Sequence, residues 1–186
     1  MKIEDESTNE CKSVFVIGSD DYNMGLIQRS MGSDQINLIP ALTWDEVQPP
    51  SGRIDFNSLY RKAARLIDSH GGSPDAIIGY LDFPVTSIVS LLNRKYKLPG
   101  ATPEAVARCE HKYWMRRVQA EVMPDQTPRF AAINPFAPDE ARRLAPPFPF
   151  WIKPVKGHSS VLGFLIRDAA DLEAALHTVL SGQLFL

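Results

Sequence analysis

Three short apolar runs, at residues 14–17, 36–39 and 76–80, limit what the first half of this chain can become. Each is too short for a stable helix, is rich in Val, Ile and Leu, and stops at Gly, Pro or polar turn residues. That pattern predicts buried strands. Helical periodicity fills the intervals. Residues 24–31 read as a short helix, and residues 43–53, with Pro49, Pro50 and Gly52, as loop. Phe56, Leu59, Tyr60, Ala63, Ala64 and Ile67 then recur on one helical face, up to the stop at Gly71-Gly72. Val85, Ile88, Val89 and Leu92 mark a further helix, with Pro84 suited to its first turn. Strands alternating with helices at this spacing predict a parallel α/β sheet. Pro40 is expected to close the second strand.

After Pro99-Gly100 the pattern changes. Thr102-Pro103-Glu104 is a helix start with a cap residue, a proline at the first position and a carboxylate in the first turn. Helix is expected from there to about residue 122, with a break near Cys109. Eight of the 15 prolines then fall between Pro124 and Pro154, which excludes long helices and predicts short strands and turns. Residues 150–153 and 161–166 read as strands joined by a loop at 154–160. Asp168 is placed to cap a last helix that carries Leu172, Ala175, Leu176 and Val179 on one face and ends near Gly182. The organisation expected is a loose tail at 1–12, an α/β unit at 13–100 and a different unit at 101–186.

Composition narrows the function classes. The 186 residues carry 20 Lys+Arg against 22 Asp+Glu, a formal charge of −2, which disfavours a polybasic nucleic-acid binder. No apolar run approaches the roughly 20 residues of a membrane span. The polar, acidic N-terminus is unlike a signal peptide. Two cysteines, Cys11 and Cys109, fit a reducing cytoplasm rather than a disulfide scaffold. His70, His111, His158 and His177 are scattered, so no histidine-based metal centre is expected.

Two stretches could carry chemistry. In Phe150-Trp151-Ile152-Lys153-Pro154-Val155-Lys156-Gly157-His158-Ser159-Ser160 a lysine ends an apolar strand, and a small, polar, glycine-bearing loop follows. Backbone N–H groups of such a loop can converge on phosphate oxygens, with the ammonium adding charge. An ordinary hairpin with solubilising edge lysines has the same composition. In the second stretch Arg108, Lys112 and Arg116 are four apart, which on a continuous helix makes one basic face, either a polyphosphate contact or a solvated surface. Trp114 and Met115 are expected to face the core. Asp20-Asp21 and Asp82, each after a strand, could form a phospho-acceptor site of a receiver-like module; helix caps and turns are the simpler use of such aspartates.

Taken together, Pro99-Gly100, Thr102-Pro103-Glu104, His111-Lys112, Pro128-Arg129-Phe130 and Pro149-Phe150-Trp151-Ile152-Lys153-Pro154 resemble the ATP-grasp superfamily, which includes biotin carboxylases, the large chain of carbamoyl-phosphate synthase and D-alanine–D-alanine ligases. The resemblance implies a Rossmann-like pre-ATP-grasp domain followed by the first part of an ATP-grasp domain. It implies that Lys112 contacts ATP phosphate, that Lys153 bridges the phosphates, and that Gly157, His158, Ser159 and Ser160 form the flexible loop over them. His111 stands where the family has Asp, and Gly163 falls one residue later than in the D-alanine ligase pattern. The family's magnesium carboxylates would lie beyond Leu186. The resemblance therefore implies an N-terminal fragment of an ATP- and Mg2+-dependent carboxylate–amine ligase, inactive alone, whose acceptor is unspecified. The alternative is a non-catalytic nucleotide- or partner-binding module, with self-association left open.

Overall fold

The computed structural model describes residues 11–32, 35–50, 52–71, 73–157 and 161–181. Two compact units divide the chain, Met1–Val106 and Ala107–Leu186.

The first unit is built on β1 (Lys12–Ser19), β2 (Ile36–Thr43) and β3 (Ala76–Gly79), which form a three-stranded sheet in the order β2-β1-β3. Both pairings are parallel, with Phe15 opposite Ile39 on one side and Ile77 on the other. The central strand is buried from Val14 to Ser19, which is why its sequence is a continuous apolar run rather than an alternating one. Helices α1 (Asp21–Met31), α3 (Phe56–Ser69) and α4 (Val85–Tyr96) follow the three strands. The predicted face of α3 buries Ala63, Ala64 and Ile67. With Phe15, Ile17, Leu42, Val85, Ile88 and Leu92 they make the core. Complete burial of a side chain such as Ile67 contributes about 1.5–3 kcal/mol.

Two expectations are corrected here. β2 does not stop at Pro40 but runs on to Thr43. It is an edge of this sheet, where a missing N–H is tolerated, and the ladder is shifted there: Val16 pairs with Pro40 and Ile17 with Leu42. The segment read as loop contains a helical turn, α2 (Trp44–Val47). Burial of Val47 anchors it, and the Glu46 carboxylate accepts from the Thr43 N–H at 3.0 Å.

The division between units falls inside α5 (Pro103–Glu110), which is followed by α6 (Lys112–Val122). The break between them is at His111 rather than Cys109. In the second unit β4 (Phe150–Ile152) and β5 (Phe164–Ile166) pair antiparallel, Trp151 opposite Leu165. The final helix, α8 (Ala169–Leu180), is capped as expected, the Asp168 carboxylate accepting from the Asp171 N–H at 2.9 Å. Leu172, Ala175 and Leu176 pack with Ala141 and Ile166 into a second core. The proline-crowded region was expected to hold only strands and turns. It also holds a seven-residue helix, α7 (Pro138–Leu144). Pro138 occupies a first-turn position, where no N–H is needed, and Ala141 is fully buried.

Candidate functional site

The site grows from the ends of two elements of the second unit. β4 ends at Ile152, so Lys153 leaves from a defined strand end. Its Nζ lies 5.5 Å from the centre of the Trp151 ring, a cation–π contact that steers an otherwise exposed side chain.

Lys112 is the first residue of α6, where a backbone N–H has no helical acceptor. That N–H donates to the Val155 carbonyl at 2.9 Å. The Lys112 ammonium donates to the Gly157 carbonyl at 2.8 Å. One residue thus grips the loop after β4 with both main chain and side chain. Glycine suits position 157 sterically, because a Cβ there would lie 2.9 Å from Cγ of Pro154.

His111 caps α6. Its Nδ1 accepts from the Trp114 N–H at 3.3 Å, and its ring stacks on Trp114 at 4.1 Å between centroids, 17° between planes. His111 thus supplies the acceptor that a helix start needs, through a ring rather than the short side chains usual there.

The structure brings Lys112 and Gly157 into contact and sets Lys153 at the head of the same loop. His158, Ser159 and Ser160 lie outside the described residues. Two expectations fail on α6. Arg108, Lys112 and Arg116 do not share a helix face, because the break at His111 puts Arg108 on α5; Arg116 bonds Gln119 at 2.7 Å. Trp114 does not face the core: it is 47% exposed, drawn to the His111 ring. Met115 is half-buried.

One contact was not anticipated. Lys156, in the loop, pairs with Glu110 at 3.1 Å. The Glu110 side chain is only 10% exposed. Its type and position carried no signal, since the partners meet only through the fold.

Of the aspartates considered for a phospho-acceptor, Asp20 serves as a cap and Asp82 lies in a turn. Asp20 caps α1, accepting from the Asn23 N–H at 2.9 Å, and also accepts from the Tyr80 hydroxyl at 2.6 Å. Hydrogen bonds from Asn23 and then Tyr80 hold its carboxyl below the usual range. Burial, then the bond to Asp20, pushes the Tyr80 hydroxyl up to about 12. The Asp82 carbonyl accepts from the Val85 N–H at 2.9 Å in the turn that enters α4.

A cleft of about 450 Å³ in the second unit, bordered by Pro124, Phe130, Leu144 and Pro146, includes none of the candidate cations. Lys153 and Gly157 lie on the exposed loop after β4 instead. Among the described residues no group of three or more His, Cys, Asp and Glu could hold a metal ion. Among the same residues no helix is long and apolar enough to cross a membrane.

No family model and no curated protein matches the sequence. Solved structures do match. An L-amino acid ligase from Bacillus licheniformis aligns with a TM-score of 0.64 at 15% identity, over 91% of this chain and 42% of its own. A D-alanine–D-alanine ligase from Helicobacter pylori aligns with a TM-score of 0.50 at 16% identity, over 92% of this chain and 60% of its own. The chain shares the fold of the N-terminal portions of these ligases. The expected fold class, a parallel α/β unit followed by a smaller mixed α and β part, is the one found. The chain spans less than two thirds of either ligase.

Proposed function

We propose that this chain holds the polyphosphate of ATP for a ligase that joins a carboxylate to an amine through an acyl-phosphate. The observation that carries the reading is Lys112 at the start of α6, bonded through its ammonium to Gly157 in the loop headed by Lys153. The ligase fold of the neighbours supports it.

A carboxylate oxygen would attack the γ-phosphorus of ATP and release ADP. The amine would then attack the acyl carbon and release phosphate, losing a proton. The part played by these residues is electrostatic. Two ammonium groups offset the charge of the triphosphate, and loop N–H groups, with His158, Ser159 and Ser160 in that role, add hydrogen bonds. An ammonium has three donors, so Lys112 can hold a carbonyl and meet a phosphate oxygen together. Neither lysine serves as acid or base. Magnesium would add charge neutralisation at the phosphates, but the described residues provide no donor cluster that fits it, and no step here passes through the metal. The reading places the ATP-grasp portion at 101–186 behind a pre-ATP-grasp domain at 13–100, in a cytoplasmic protein, with no turnover from these 186 residues alone.

Calorimetric titration with ATP and with tripolyphosphate tests it. Lys112→Ala and Lys153→Ala should each weaken binding about tenfold, the loss typical of one charge-assisted contact. Affinity unchanged in both variants contradicts the reading.

A further inference from the structure

The loop after β4 is fastened to the α5–α6 junction at three consecutive residues. The Lys112 N–H donates to Val155 at 2.9 Å, Lys156 pairs with Glu110 at 3.1 Å, and the Lys112 ammonium donates to Gly157 at 2.8 Å. The two junction residues flank His111, the cap of α6. Of the three ties only the middle one joins two full charges. Its carboxylate is nearly covered, whereas the Lys156 side chain is 47% exposed. A covered carboxylate is stable when a cation stays beside it, so Glu110 holds Lys156 more firmly than a surface pair would.

That placement has a consequence for the neighbouring ammonium. A lysine side chain alone is a flexible point charge. Here the Gly157 carbonyl sets its direction, and the position of that carbonyl depends on where residue 156 is held. We propose that Glu110 is a positioning residue: it anchors Lys156, and through it the turn at 155–157, so that Lys112 is aimed for polyphosphate. This rests on the phosphate reading given above. The Glu110–Lys156 pair also cancels a negative charge that would otherwise repel the ligand at close range.

The Lys112 amide reports the clasp directly, because its acceptor is Val155 rather than a helix carbonyl. Its hydrogen exchange and the calorimetric affinity for tripolyphosphate are to be measured in the wild type, Glu110→Gln, Lys156→Met and Lys156→Arg. Amides of α8, in the same unit, serve as the control that its fold is intact. In Glu110→Gln and Lys156→Met the Lys112 amide should exchange about tenfold faster, as expected when a pair with one covered partner is broken. Affinity should fall about fivefold in both, the coupling expected between neighbours in one network. Lys156→Arg, which keeps the charge, should retain wild-type values. If Lys112→Ala weakens binding but Glu110→Gln binds as tightly as the wild type, or more tightly, the positioning role is wrong while the phosphate reading stands. Unchanged Lys112 exchange in both Glu110→Gln and Lys156→Met also overturns the role. If Lys112→Ala has no effect on affinity, there is no aimed ammonium for Glu110 to position and this role fails; the phosphate reading fails with it only if Lys153→Ala is also without effect.

Discussion

Replacing His111 by alanine removes two things at once. One is the acceptor that takes the Trp114 N–H at 3.3 Å; the other is the ring stacked on Trp114 at 4.1 Å. Loss of a helix cap costs about 0.5–2 kcal/mol, and the separation of 3.3 Å puts this one toward the lower end. An aromatic stack contributes roughly 0.5–1.5 kcal/mol, less when the partner is as exposed as Trp114. The sum expected for His111→Ala is about 1–2 kcal/mol on the second unit, which corresponds to roughly 5- to 30-fold in local opening. His111→Asp separates the two contributions. It restores an acceptor and sets a negative charge at a helix N-terminus, a gain of about 0.3–1 kcal/mol that offsets the lost stack. Its stability should therefore lie near the wild type, while the added anion beside Lys112 weakens polyphosphate binding. Amide exchange at Trp114 reads the cap, and chemical denaturation reads the unit. Unchanged Trp114 exchange in His111→Ala would refute the capping role, and with it the account of why histidine stands here.

Three further outcomes follow from the geometry. Gly79→Ala should destabilise the first unit by about 1–3 kcal/mol in chemical denaturation, since a Cβ there would overlap Cγ1 of Val85 and sit 3.2 Å from the Ile17 carbonyl oxygen. Gly157→Ala should speed exchange of the Lys112 amide with little change in thermal midpoint, because its Cβ meets the Pro154 ring at 2.9 Å and only the loop must move. Tyr80 should ionise near pH 12 in a tyrosine absorbance titration, against an ordinary 10.0, and return toward 10.0 in Asp20→Asn. The folded state favours its neutral form, so that contribution is complete below pH 10 and is lost as pH rises through about 12.

Local chemistry made much of this structure legible. The run at 14–17 became a central strand because it is apolar on both faces, and the 56–67 periodicity became α3 because its stripe had a sheet to cover. The cap at Asp168 needed only its own helix. What was missed depended on position in the assembled fold. Pro40 stays within β2 because β2 is an edge, a property that no window around Pro40 contains. Val47 and Ala141 draw short helices out of turn-rich sequence because each fills a core. In the site, Lys153 was legible as a cation at a strand end. Lys112 was singled out through a basic helix face and the resemblance, its place at the start of α6 being hidden by the helix expected to run through it. Glu110 was not legible, since its partner Lys156 reaches it only after β4 and the α5–α6 junction are in place.

The measurement that bears most directly on the central claim is a phosphorus NMR titration of ATP with this chain. The account predicts that the β- and γ-phosphate resonances shift on adding wild-type protein and stay at their free positions with the Lys112→Ala/Lys153→Ala double variant. Shifts that persist undiminished in the double variant would contradict it.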